Sequence, residues 1–272
     1  MVTSYSTGER MGLGDWIMAS ATVKEVNERT GKKVALGDGS RAYLDPNVFA
    51  NNPRMATDDK EEIEWVKDYP GHRPYIKGQT PDKKIIFNDD FKPNPGEIYL
   101  SDAEKAWADE KISEPFILVE PNVKTVYKHT INKAWHQWEE LLKNDLPWLQ
   151  IGDARVKKYT RWIETTTFRQ ALAILNKATL FVGTDGGLHH AAAALGIPAV
   201  VIWTGFTSPK HLGYDNHVNL YHGGEPCGTF GDVCKHCREN SDKIKPDFVL
   251  QAIYDELERI VIDEKRKRDM AT

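Results

Sequence analysis

Residues Ala178 to Thr204 read ATLFVGTDGGLHHAAAALGIPAVVIWT, and this stretch decides the fold. Leu180 to Val182 are apolar and favour a strand. The run Thr184-Asp185-Gly186-Gly187 supplies turn chemistry, because two glycines accept backbone angles that a sharp turn demands. Leu188 to Leu195 is Ala-rich and predicts a helix. Gly196 stands at the C-cap position and Pro198 blocks continuation. Ala199 to Trp203 is apolar without alternation, as expected for a strand of a parallel sheet covered on both faces.

A strand, glycine turn and helix in succession leave unpaired N–H groups at the positive end of a helix dipole, which suits an anion such as a diphosphate. Asp185 is placed to accept from a sugar hydroxyl, and His189 and His190 to donate to a phosphate oxygen. The competing reading makes Asp185 a helix cap and the histidines surface residues.

The 272 residues suffice for two modest α/β domains, and a hydrophobic content of 40% is that of a packed protein. No apolar run approaches the roughly 20 residues that cross a bilayer, and MVTSYSTGER lacks the apolar core of a secretion signal, so a cytoplasmic protein is expected. A net charge of -4 argues against a surface coated for nucleic acid. The basic run Lys265-Arg266-Lys267-Arg268 reads as a solvated helix end.

Along the chain, a glycine-containing turn enters a helix with Trp16, Ile17, Ala21, Val23 and Val26 apolar, ended by Gly31, and Lys33 to Leu36 reads as a strand. From Gly37 to Ala108 seven prolines break any long element. Short strands are expected at Tyr43-Leu44, Lys84 to Phe87 and Ile98 to Leu100, and short helices at Asp59 to Val66 and Asp102 to Asp109. Ile112 to Pro115 reads as a linker before a buried strand at Phe116 to Val119. A helix is expected over Ile131 to Lys143, a strand over Trp148 to Gly152, and helices over Phe168 to Ala178 and Pro246 to Ile262. The expected division is a domain of residues 1–112 and a second of 113–272, with the final helix packing back toward the first.

Gly12-Leu13-Gly14-Asp15, Lys133-Ala134-Trp135, and Asp185 through Ala192 with Gly196 and Pro198 occur in the order found in the heptosyltransferases of glycosyltransferase family 9, and the chain resembles that family. The resemblance implies a GT-B type α/β fold, two Rossmann-like domains facing a central cleft, here with the first reduced. It implies that Asp15 is the catalytic base and that Lys133, Asp185, Gly186, Gly187, Leu188 and His190 bind the donor, with Gly152 near its nucleoside end. Gly186 stands where the family usually has a hydroxyl residue, and VTSYS is a weak counterpart of the family's apolar first strand. The implied activity is inverting transfer of a sugar from a nucleotide-diphosphate-sugar to an acceptor hydroxyl, of a saccharide or lipopolysaccharide type. A hydroxylated nucleic-acid base is the alternative acceptor, and a nucleotide-sugar-binding module without transfer activity is the rival from another class. The implied arrangement requires no metal. Cys227, Cys234 and Cys237, near His222 and His236, make a zinc knuckle conceivable, but the irregular C-x6-C-x2-C spacing favours reduced thiols.

Overall fold

The computed structural model describes residues 11–56, 62–67, 72–123, 128–229 and 233–271. The VTSYS segment lies outside them. Helix α1 (Leu13–Thr30) opens with Asp15 reaching back to accept the Gly12 N–H at 3.2 Å, and Gly31 closes it at φ 70°. Strand β1 (Lys33–Leu36) follows, then a turn of helix α2 (Pro46–Phe49) capped by Asp45. Strand β2 (Ile63–Val66) pairs in parallel with β1, and β3 (Ile76–Gln79) with β4 (Ile85–Phe87) forms an antiparallel ribbon. Helix α3 (Asp102–Lys111), with a capping box between Ser101 and Glu104, ends the first half.

The second half is a doubly wound sheet. Its elements are β5 (Ile117–Glu120), a 3-10 helix (Lys128–Lys133), α4 (Trp138–Leu141), β6 (Trp148–Gly152), β7 (Trp162–Glu164), α5 (Phe168–Leu175), β8 (Leu180–Thr184), α6 (Gly187–Leu195), β9 (Ala199–Trp203), α7 (Pro209–Leu212), β10 (Val218–Tyr221), α8 (Lys235–Lys243) and α9 (Pro246–Ala271). The six strands run parallel in the order β10-β9-β8-β5-β6-β7. The chain winds one way from β5 through β6 to β7 and the other way from β8 to β10. A switch point therefore lies between the carboxyl ends of β5 and β8, where open α/β sheets bind ligands.

Strand periodicity divides the core between the two faces. Ile117, Val119, Leu180, Val182, Val200 and Ile202 pack under α4 and α9, against Trp135, Trp138, Val249 and Ile253. Leu118, Phe181, Ala199, Val201 and Trp203 point the other way, into a cluster with Leu172, Ala191 and Ala192. That cluster continues without a break into Trp16, Ile17, Val23, Val34 and Phe49 of the first half, and α1 packs directly on α6. Arg169 adds a polar tie: it donates to both carboxylate oxygens of Glu104 at 2.6 Å and to the carbonyl of Tyr99 at 2.7 Å, holding the Glu104 carboxyl down to about 2. None of the described helices is long and apolar enough to cross a membrane.

The structure bears out the α/β class and departs from several local expectations. Residues 59–61 lie outside the described residues, and Ile63–Val66, expected as helix, is strand because it completes the ladder with β1. Tyr43-Leu44 and Ile98 to Leu100 are not strands; Ala42 forms only an isolated bridge to Gly37. The helix expected over Ile131 to Lys143 is broken: the Asn132 carbonyl accepts from Thr204 Oγ1 at 2.5 Å, and the Trp135 indole is anchored to the Ile244 carbonyl at 2.9 Å. The final helix runs on to Ala271, and its chief packing partners are α4, β9 and β10 of the second half.

Candidate functional site

Two helix N-termini meet at the switch point. A Cβ on Gly14, in the first turn of α1, would lie 2.6 Å from Cδ2 of His190, and one on Gly187, the first residue of α6, would lie 3.7 Å from Leu13 Cβ. The sequence therefore needs glycine at position 14 because an imidazole ring occupies the space a side chain would take. This contact brings Asp15 and the Asp185-Gly186-Gly187 turn to one place.

Asp185 is buried at the end of β8 and pairs with Lys133 Nζ at 2.7 Å, while Thr207 donates to the same carboxylate oxygen at 2.6 Å. Burial pushes its carboxyl up, but Lys133, His190 and Thr207 outweigh that and hold it below the ordinary carboxylate range. Lys133, expected at a helix start, instead ends the 3-10 helix, with Nζ also 5.5 Å from the centroid of the Phe206 ring. His190 is buried, 3.8 Å from the other oxygen of Asp185 through Nε2 and 2.9 Å from the Tyr214 hydroxyl through Nδ1. Burial lowers its affinity for a second proton, with Asp185 opposing, so the ring is neutral at pH 7. The carboxylate facing Nε2 favours the tautomer with the proton there, and Nδ1 then accepts from Tyr214. His189, expected to reach a phosphate, does not: it is fully buried among the rings of Trp203, Tyr214 and His217. Leu188 is buried as well, so the turn offers backbone N–H groups there and no polar side chain.

Asp15 has partners that no local signal in the sequence announces. Tyr75 donates to Oδ1 at 2.9 Å and Arg73 Nε to Oδ2 at 3.0 Å, from positions 60 and 58 residues away. Burial and the neighbouring Asp15 charge raise the Tyr75 phenol well above its usual value, so it stays a donor. Beside Asp15 opens a cavity of about 160 Å³, with Thr22, Glu25, His72, Lys92 and Asn94 among its lining.

Glu120 is a second residue missed from sequence. It ends β5 beside the glycine turn, its Oε2 3.6 Å from where a Gly186 Cβ would stand. Burial, reinforced by Asp185, raises its carboxyl to about 8, so it is mostly protonated at neutral pH. Its signal is its position alone: an acid directly after the apolar run FILV. Gly152 ends the neighbouring β6 at φ 151°, along the same carboxyl edge of the sheet.

With this geometry in view, comparison with known proteins is specific over the second half. The family model for Glycosyltransferase family 9 (heptosyltransferase) matches residues 153–243. A search of the curated proteins finds no match. Among solved structures, the chain is similar to the iron-containing dodecameric glycosyltransferase TibC from enterotoxigenic E. coli, with 15% identity, 94% of this chain and 75% of that one covered, and a TM-score of 0.62. It is similar to the family 9 glycosyl transferase from Veillonella parvula at 13% identity, covering 92% of this chain and 95% of that one, with a TM-score of 0.59. E. coli ADP-heptose lps heptosyltransferase II shares 20% identity over 62% of this chain, with a TM-score of 0.45, and this chain spans only 54% of its length. At such identities structural likeness carries the fold alone. Residues 153–243 thus match the glycosyltransferase family 9 (heptosyltransferase) model, and the chain is heptosyltransferase-like with a GT-B type α/β fold.

Proposed function

We propose that the chain is an inverting glycosyltransferase that binds a nucleotide-diphosphate-sugar at the α6 N-terminus and transfers its sugar to a hydroxyl held beside Asp15. The observation that carries this reading is the meeting of α1 and α6, which sets the Asp15 carboxylate beside the glycine turn and N-terminus of α6. One heptosyltransferase, TibC, has been solved with ADP-D-beta-D-heptose, which supports a donor of that kind here.

In the proposed reaction Asp15 accepts the acceptor's proton as its oxygen attacks the anomeric carbon from the face opposite the diphosphate. Tyr75 and Arg73 fix the carboxylate's direction. The charge growing on the departing diphosphate meets the N–H groups of Gly187 and Leu188, the His190 Nε2 proton and the Lys133 ammonium. Lys133 is a compact charge that Asp185 holds in place, ready to be shared with a phosphate oxygen. The polar lining of the cavity beside Asp15, from Thr22, Glu25, His72, Lys92 and Asn94, supports a hydroxyl-rich saccharide acceptor. The division into an acceptor-side half, residues 1–112, and a donor half, 113–272, follows the same reading.

The test is Asp15→Asn. The amide keeps the shape but gives up the ion pair with Arg73, so the melting temperature falls modestly while nucleotide diphosphate affinity stays near wild type. Turnover of the nucleotide-sugar falls ~100-fold to ~10,000-fold, the usual range for a general base. Near-normal turnover in a folded, donor-binding variant removes Asp15 from the chemistry. Nucleotide diphosphate binding without any sugar transfer in the wild type, across saccharide acceptors, favours a binding module instead.

A further inference from the structure

The three cysteines converge although their spacing is irregular. Cys227 lies in the loop beyond β10, Cys234 is the N-cap of α8, and His236 and Cys237 stand in that helix's first turn. Their four ligand atoms, three sulfurs and one ring nitrogen, all lie within 4.8 Å of one another. Two backbone hydrogen bonds fix the approach of Cys227: its N–H donates to the Gly205 carbonyl at 2.8 Å, and the Gly228 N–H to the Phe206 carbonyl at 3.1 Å. All three thiols are free, with Cys227 and Cys237 Sγ atoms 3.1 Å apart.

An independent observation comes from His236. Its Nε2 lies 3.1 Å from the Asn240 amide, while its Nδ1 is buried and has no hydrogen-bond partner. A buried nitrogen in that condition costs stability. With the Asn240 amide turned to present its oxygen, Nε2–H donates and the Nδ1 lone pair is left for a metal, the usual outer support of a histidine ligand.

We propose that Cys227, Cys234, Cys237 and His236 hold one tetrahedral divalent ion, zinc or ferrous iron, and that this knot braces Lys133. Three thiolates and an imidazole suit that class of ion. Metal–sulfur bonds of about 2.3 Å set sulfurs roughly 3.8 Å apart, so the close pair parts slightly while the more distant ligands draw in. The brace is direct. The Cys234 N–H donates to Asn132 Oδ1 at 2.8 Å, and Asn132 immediately precedes Lys133. Phe206, which faces the Lys133 ammonium, packs in one apolar cluster with Cys237. The ion therefore secures, from below, the side chain read above as a donor ligand; the brace rests on that reading, whereas the metal site does not.

The full chain, purified under reducing conditions and reconstituted separately with zinc or ferrous salt, is expected to retain about one equivalent of metal by elemental analysis, and which salt is retained identifies the ion. Cobalt substitution should give thiolate-to-metal charge-transfer absorption. Cys237→Ser should lose the ion, and His236→Cys should keep it. Chelation should lower both the melting temperature and, by 10-fold or more, the affinity for ADP or UDP. Loss of the proposal is equally visible in the wild-type protein: no retained metal with three thiols that react freely in the native state, or a Cys227–Cys237 disulfide by mass. Metal retention with ADP and UDP affinities unchanged by chelation overturns the brace alone. Failure of the metal-loaded protein to bind either nucleotide overturns the donor reading and leaves the metal site standing.

Discussion

Gly14→Ala tests the contact on which the site is built, and Gly187→Ala provides its internal control. Both glycines lie in the first turn of a helix, so each substitution gains similar helix propensity, up to about 1 kcal/mol, and that gain cancels between them. What differs is the space. A Cβ at position 14 would stand 2.6 Å from His190 Cδ2 and 3.2 Å from Nε2, while at position 187 its nearest neighbour is 3.7 Å away. The ring cannot easily yield, since it is buried and its Nδ1 is bonded to Tyr214. Overpacking of this kind costs about 1–3 kcal/mol, so Gly14→Ala should be less stable than Gly187→Ala by that amount. Urea denaturation of the two variants, with unchanged slopes, measures the difference directly. Equal midpoints within experimental error would refute the close approach of α1 and α6. A second readout follows the same displacement: Gly14→Ala turns His190 away from Asp185 and should weaken nucleotide diphosphate binding.

Lys133→Ala and His190→Ala each remove a donor from the proposed diphosphate site, and calorimetry should find affinity reduced by roughly 10-fold to 100-fold, the range for a lost hydrogen bond to a charged group; unchanged affinity in both would remove them from it. Glu120 gives a pH dependence of defined sign. Its folded carboxyl titrates at about 8, above the ordinary 4.5, so the folded state holds the proton more tightly than the unfolded one. The stability this contributes is fully present below 4.5 and is lost as pH rises to 8. Glu120→Gln should therefore become more stable than wild type as pH increases across that window; parallel stability curves for the two proteins would contradict the shift.

The central run was legible because its punctuation is local. Gly196 adopts the left-handed C-cap at φ 71°, and Ala199–Trp203 is buried throughout, as its unbroken apolar composition requires. Asp15, Lys133 and Asp185 could be nominated from motif order, and they do converge. What they touch could not be read. Arg73 and Tyr75 reach Asp15 across more than fifty residues of proline-rich chain, and nothing in their own neighbourhood marks them. The expected helix at Ile131 to Lys143 failed for a related reason: the Asn132 carbonyl accepts from Thr204, a distant partner in place of the next helical turn, and the Trp135 side chain is tied to Ile244. Glu120 shows a third kind of gap, since a strand's last residue becomes chemically unusual only when a neighbouring strand delivers Asp185 beside it.

The uninterrupted apolar cluster beneath α1 and α6 also governs how this molecule can breathe. Two lobes joined only by a thin linker could swing apart on each catalytic cycle at little cost. Here a wide gape would wet Trp16, Ile17 and Ala191 together, and each large apolar side chain so exposed costs about 1.5–3 kcal/mol. Under the proposed function, an acceptor would then enter through short-range rearrangements at the rim, where Arg73 and Tyr75 meet α1. Under that reading, grafting the rim from a relative would change what is admitted without disturbing the apolar cluster beneath it.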